Sequence, residues 1–253
     1  MKHGAEEARG IALNNTILRA QVGSELYGVS VGDGDRDEMG ICIEPPEYVI
    51  GLKEFEQYQF RTQPDGIRSG PGDLDLTVYS LRKWARLSAQ GNPTVLLLLF
   101  TPEQYWIDSF KHGYILQDKK NLFISKDCGR KFLGYLNSQK DAMLGLRSKK
   151  TNRPELTEVY GYDTKFAYHA IRLGLQGIEL LQYGHITLPI PEPHRSTLIA
   201  LRKGEYSRQY ALDWIDDLQD GLAVLTKNVD LPEHADMMKI NRWLIETYND
   251  WWK

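Results

Sequence analysis

Cysteine is scarce in this 253-residue chain. Cys42 and Cys128 stand alone, without the paired spacing of a zinc site or the density of a disulfide framework, and both are expected to be reduced and structural. Long apolar runs are missing as well. The longest, Val95 to Phe100, falls far short of the ~20 residues that a membrane helix needs. Met1 to Arg9 is polar and has no signal-peptide core, so the expectation is a cytoplasmic protein with no membrane partner. From Lys111 onward no repeat or glycine-rich signature is found. What remains is ordinary: 42% hydrophobic and 26% charged residues, a balance that excludes disordered and fibrous classes and is enough for a real core in one large or two modest domains.

Net charge is only −3, yet it is unevenly spread. Residues 1 to 105 carry 10 Lys and Arg against 15 Asp and Glu, whereas residues 106 to 253 carry 21 against 19. Within the second part, Lys111 to Arg153 holds 11 basic residues and 3 acidic ones. Such a segment attracts a triphosphate or an RNA backbone, or else forms a solvated basic face.

Short alternating or apolar runs at Ile17 to Val22, Met39 to Ile43 and Leu74 to Tyr79 fit strands of one small sheet. Gly51 to Gly72 is polar, aromatic and rich in Gly and Pro, which suggests a mobile loop near a site. After the first strand comes Gly23-Ser24. Glycine lets backbone N–H groups approach a phosphate closely, and the serine adds a hydroxyl. Asp35 and Asp37 enter the second strand. In an extended chain they share a face, and two carboxylates that near one another repel unless a divalent cation holds them, with hard oxygen ligands favouring Mg²⁺ or Mn²⁺. In Asp73-Leu74-Asp75-Leu76-Thr77-Val78-Tyr79 the alternation puts Asp73 and Asp75 on one face, so either can supply a third carboxylate.

Gly23-Ser24, a spacer, then Asp35-Arg36-Asp37 resembles the signature of the DNA polymerase beta nucleotidyltransferase superfamily. The string from Gly23 to Gly40, with Tyr27-Gly28 inside it, is similar to the branch of predicted nucleotidyltransferases found beside RNA-repair genes. That pattern places its third aspartate at Asp75. Gly91-Asn92-Pro93-Thr94-Val95-Leu96, Lys165 to Leu173, Gly184, Leu188-Pro189 and Arg202-Lys203-Gly204 also look like the family. Leu97 is a departure, because a glutamate is common there.

Ser80 to Ala89 reads as a helix with Leu81, Trp84, Ala85 and Ser88 on one side. Asn92 and Pro93 start another. In a helix over Asp163 to Tyr183, Lys165, His169, Arg172 and Gln176 fall on one stripe, with Ala170, Ile171, Gly174, Ile178 and Leu181 opposite. Such a helix can pack on a core and present charge to a cleft, although a lone histidine there is more commonly structural. The tail from Glu205 is helical, acidic and tryptophan-rich, its Trp residues closing a core or meeting a partner.

The resemblance implies an α+β fold: a small mixed-sheet, polymerase-beta-like palm domain over residues 1–105, followed by a helical domain over 106–253 that completes the nucleotide and acceptor cleft. It implies a metal-dependent enzyme that moves a nucleoside monophosphate from an NTP such as ATP to an acceptor hydroxyl, an RNA (tRNA) 3′ end in the first instance, releasing pyrophosphate. Asp35, Asp37 and Asp75 would be both catalytic and metal-holding, with Gly23, Ser24, Tyr27, Lys165, His169 and Arg172 binding the nucleotide. Two other outcomes stay open: a protein hydroxyl as acceptor, as in toxin–antitoxin relatives, and a nucleotide- or RNA-binding module without catalysis.

Overall fold

The computed structural model describes residues 6–32, 34–64, 66–147 and 153–253. In chain order the elements are α1 (Glu6–Asn14), β1 (Thr16–Gln21), α2 (Gly23–Tyr27), β2 (Arg36–Cys42), α3 (Pro46–Val49), β3 (Gln57–Arg61), β4 (Leu74–Ser80), α4 (Leu81–Ala89) and α5 (Pro93–Leu96). They continue with β5 (Trp106–Ser109), α6 (Lys111–Asp118), α7 (Lys126–Met143), α8 (Pro154–Tyr160), α9 (Thr164–Tyr183), α10 (His194–Arg202), α11 (Arg208–Asn228) and α12 (Met237–Trp251). This is the expected α+β arrangement, a mixed sheet followed by helices.

The chain forms two compact units, and neither is one continuous stretch. The sheet unit runs through Ala89, resumes over Val95–Phe123 and takes in Asp236–Lys253; the helical unit is Gln90–Thr94 with Ile124–Ala235. The division expected after residue 105 therefore falls inside the sheet unit's middle stretch.

In the sheet unit the strands lie in the order β3-β4-β2-β1-β5. Only β2 and β4 run parallel; the other neighbours are antiparallel. Leu76 and Val78 of β4 point into a core where Ala8, Ile11 and Ala12 of α1 cover Cys42, Tyr48, Phe55 and Tyr58. Two edge strands were not anticipated. β3 lies within the stretch expected to be a loop, and β5 follows the expected domain boundary. The α4 helix buries Leu81, Trp84, Ala85 and Ser88, the stripe its spacing predicts. The Trp84 indole N–H donates to the Val95 carbonyl at 3.0 Å, and its ring meets Phe123 edge-on at 5.1 Å. Phe123 in turn meets Trp243 of α12 at 5.8 Å. The C-terminal helix is thus part of the sheet unit, where the Tyr248 hydroxyl donates to buried Glu44 at 2.6 Å and the Trp252 indole to the Glu44 carbonyl at 3.0 Å.

The helical unit is built on α7, α9 and α11 packed against one another. Gly174 and Gly177 of α9 allow close approach. A methyl group at Gly174 would lie 2.7 Å from Leu218 Cβ, and one at Gly177 would lie 2.9 Å from Phe132 Cβ. Asp163 caps α9, its side chain accepting from the Lys165 and Phe166 backbone N–H groups. Among the described residues no helix is long and apolar enough to cross a membrane.

Candidate active site

The parallel register of β2 with β4 sets Asp37 directly beside Asp75. Asp35 lies one residue before β2 begins. Carboxylate oxygens of Asp35, Asp37 and Asp75 all come within 4.8 Å of one another, and all three residues are half-buried. It is the one such group of three or more metal-ligating side chains among the described residues. Three partly desolvated negative groups at this spacing repel strongly, and hard oxygen donors are the set that Mg²⁺ or Mn²⁺ takes. The donor chemistry therefore fits a divalent cation.

Gly23 and Ser24 open a short helix, α2, rather than a plain turn. Gly23 takes φ +70°, in the left-handed region that favours glycine. A methyl group there would overlap Asp37 Oδ2 and lie 3.0 Å from Asp37 Cβ. The Val22 N–H donates to the Asp37 carbonyl at 2.9 Å, so the start of α2 is fastened to the strand that carries the carboxylate. Ser24 is half-buried and its Oγ accepts from Ser30 Oγ at 3.1 Å. Tyr27 is buried, 6% exposed, in the core of the sheet unit. Leu97 is also buried, so an apolar side chain suits its place.

Asp75 is held from the other side by residues that the sequence alone did not single out. Arg61, opposite Asp75 in the antiparallel β3–β4 register, donates through Nε to Oδ1 at 2.8 Å. Gln63 Nε2 donates to the same oxygen at 3.1 Å, and Ser69 Oγ donates to Oδ2. Burial pushes the Asp75 carboxyl up, but the Ser69 and Arg61 hydrogen bonds outweigh it and hold the group below the ordinary carboxylate value. A pocket of about 520 Å³ opens here, lined by Gln59, Phe60, Arg61, Gln63, Asp75, Leu76 and Thr77. The polar and aromatic alternation of Gln57-Tyr58-Gln59-Phe60-Arg61 is the signal that would have found β3, and with it Arg61. Asp73 has a different task. Its carboxylate accepts from the Gly70 N–H at 2.9 Å and from Thr62 Oγ1 at 2.7 Å, which fastens the turn that leads into β4.

In the helical unit the residues of the stripe expected on α9 to present charge to a cleft differ in exposure. Arg172 and Gln176 are buried, at 9% and 2% exposure, with Arg172 Nη1 donating to Gln176 Oε1 at 2.7 Å. The reason is the helix's position between α7 and α11, which covers more than one face of it. Lys165 and His169 are half-buried. Burial first, and then the charges of Arg172, Lys165, Arg153 and Arg202, push the His169 imidazole well below its ordinary value. Arg153 and Arg202 are further cations of this group. Arg153 lies over the Phe166 ring at 5.1 Å and Arg202 over the Tyr168 ring at 5.2 Å.

The basic segment Lys111 to Arg153 is divided between the two units. Lys111 begins α6 in the sheet unit, whereas Lys126, Arg130 and Lys140 lie on α7 in the helical unit. There Lys126 pairs with Glu233 at 3.8 Å, Arg130 Nη1 with Glu233 at 3.0 Å, and Lys140 with Asp216. Lys149 and Lys150 lie outside the described residues.

A family model described as the RNA repair pathway DNA polymerase beta family matches residues 3–246. An uncharacterized 38.9 kDa protein from the nrdC-mobD intergenic region of Enterobacteria phage T4 is 26% identical over 126 residues. The match takes in 49% of this chain and 37% of the phage protein, little more than a third of that relative's length. Among solved structures, spectinomycin adenyltransferase from Enterococcus faecialis, determined with ATP and spectinomycin, is 14% identical with a TM-score of 0.44, covering 85% of this chain and 95% of that one. A nucleotidyltransferase-like protein from Exiguobacterium sibiricum is 12% identical with a TM-score of 0.31, covering 88% and 72%.

Proposed function

The chain belongs to the RNA repair pathway DNA polymerase beta family, and from that premise we propose that it is a nucleotidyltransferase that moves a nucleoside monophosphate from an NTP to an acceptor hydroxyl in a metal-dependent reaction. The observation that carries the reading is the convergence of Asp35, Asp37 and Asp75 within 4.8 Å. Those carboxylates would hold Mg²⁺ or Mn²⁺. A cation bound there neutralises charge on the phosphates and lowers the pKa of a coordinated hydroxyl.

In this reading the Gly23 and Ser24 backbone, fastened to β2, receives the outer phosphates of the nucleotide. The acceptor enters the pocket beside Asp75, its oxygen attacks the α-phosphorus, the bond to the β-phosphate breaks and pyrophosphate leaves. Asp75 faces that pocket, where a carboxylate kept deprotonated by Ser69 and Arg61 is suited to hold the cation that would acidify the hydroxyl, whose proton passes to water. On the helical unit, Lys165 and Arg172, with Arg153 and Arg202, are cations suited to phosphate, and neutral His169 can donate a hydrogen bond to one. The acceptor we propose is the 3′ hydroxyl of an RNA, a tRNA among them. Family membership in RNA repair is what supports it.

Incubation with each α-labelled NTP, Mg²⁺, an RNA pool and cell-lysate proteins tests the assignment. Label on RNA 3′ ends, abolished by a chelator, is the expected result. Label on protein would overturn the RNA acceptor, and metal-dependent nucleotide binding with no transfer to any acceptor would overturn the catalytic reading.

A further inference from the structure

Resting on the metal reading above, we infer that Arg61 is the positioning residue of this site, holding Asp75 so that one carboxylate oxygen stays turned toward the cation. A carboxylate offers about four acceptor directions, two on each oxygen. On Asp75, Oδ1 has both filled, by Arg61 Nε at 2.8 Å and Gln63 Nε2 at 3.1 Å. Oδ2 has one filled, by Ser69 Oγ. The direction left on Oδ2 is therefore the one open to a metal ion, and the three donors fix the rotation of the group.

Arg61 is the centre of this arrangement. Besides Asp75 it reaches the Ile67 carbonyl at 3.2 Å and Ser69 Oγ at 3.1 Å through Nη2, so a single planar guanidinium orients both Asp75 and the serine that also holds it. Strand pairing places Arg61, Asp75 and Asp37 in one row across β3, β4 and β2. Neighbouring strands lie about 4.8 Å apart, so Arg61 sits one strand beyond Asp75 from Asp37. A permanent cation cannot itself ligate the metal, and its action passes through Asp75. Partners of this outer kind are worth about tenfold to a hundredfold in metal affinity.

The test is titration of the full chain with Mn²⁺ alone, following free Mn²⁺ by electron paramagnetic resonance, for the wild type, Arg61→Ala, Arg61→Lys and Arg61→Gln. Arg61→Ala is expected to weaken Mn²⁺ binding by about tenfold or more. Arg61→Lys and Arg61→Gln, each keeping one donor toward Asp75, are expected to fall between the alanine variant and the wild type. Thermal melts identify a variant that fails to fold, and the two conservative variants then carry the comparison. Mn²⁺ affinity equal to or above wild type in every folded variant would overturn the positioning role and make Arg61 a competitor of the cation. A wild-type chain that binds no Mn²⁺ would sink the metal reading itself, a different failure.

Discussion

Asp37 and Asp75 stand side by side because β2 and β4 are the one parallel pair in the sheet, and their register pairs these two residues directly. With Asp35 added, three like charges share a small volume. Such an arrangement opposes folding and is retained where a ligand relieves it. Asp37→Asn and Asp75→Asn should each lower nucleotidyl transfer by about 10²- to 10³-fold, the scale of losing one preorganised charge-stabilising group. Without metal, Asp37→Asn should melt at or above the wild type, since a repulsive charge is gone, whereas Asp75→Asn, losing the charge that Ser69 and Arg61 stabilise, should melt lower. Parallel rate and melting measurements check both. A variant as active as the wild type would remove that residue from the reaction.

Gly23 supplies a second test. Its left-handed φ costs an L-residue about 1–2 kcal/mol, and the added methyl of Gly23→Ala also meets Asp37. Urea unfolding should show at least that loss, with transfer activity falling by more than stability explains because Asp37 must shift. Unchanged stability together with unchanged rate would mean that α2 and Asp37 are not coupled.

His169 is predicted to be a neutral imidazole at neutral pH. Its folded pKa lies well below the ordinary 6.5, chiefly through burial and then through the surrounding cations. Between the folded value and 6.5 the unfolded chain binds the proton that the folded chain refuses. The His169 contribution to stability is therefore full above about 6.5 and is lost as pH falls below it. NMR of the histidine ring protons should show no His169 titration between about pH 8 and 6. A midpoint near 6.5 would contradict the burial.

Glu44 and Tyr248 make the opposite case. Burial raises the Glu44 carboxyl above its ordinary value despite the hydrogen bond from Tyr248. The folded chain then holds a proton that the unfolded chain has released, so this contribution falls as pH rises from about 4.5 through the folded pKa. Glu44→Gln keeps an acceptor for Tyr248 and should match the wild type at pH 4 but melt higher at pH 8. Tyr248→Phe leaves a buried carboxylate oxygen without its donor and should cost about 1–3 kcal/mol. Melts across pH measure both, and a Glu44→Gln variant less stable at pH 8 would reverse the assignment.

Elements that bury one clean face were legible in the sequence. The alternation of Leu74, Leu76 and Val78 announces β4, the spacing of Leu81, Trp84, Ala85 and Ser88 announces α4, and Asp35, Asp37 and Asp75 followed from their pattern and the resemblance it carries. The edge strands were not legible. β3 buries only Tyr58 of its five residues and β5 buries none, so neither leaves much hydrophobic signal. Because β3 was hidden, so were Arg61 and the ring of donors around Asp75. Alternation also could not separate Asp73 from Asp75, since strand register and not facing decides which of them meets Asp37. On α9 the helical spacing could not show that Arg172 and Gln176 are buried, because that follows from two other helices packing against it. Nothing local announces that α12 joins the sheet unit, where Tyr248 finds Glu44 across 204 residues of sequence.

Anomalous diffraction from crystals grown with Mn²⁺ tests the central claim most directly. A manganese peak about 2.1 Å from oxygens of Asp35, Asp37 and Asp75, the spacing for a small hard divalent cation, is the predicted result. Density showing all three carboxylates ordered with no manganese among them, at concentrations that support transfer, would contradict it.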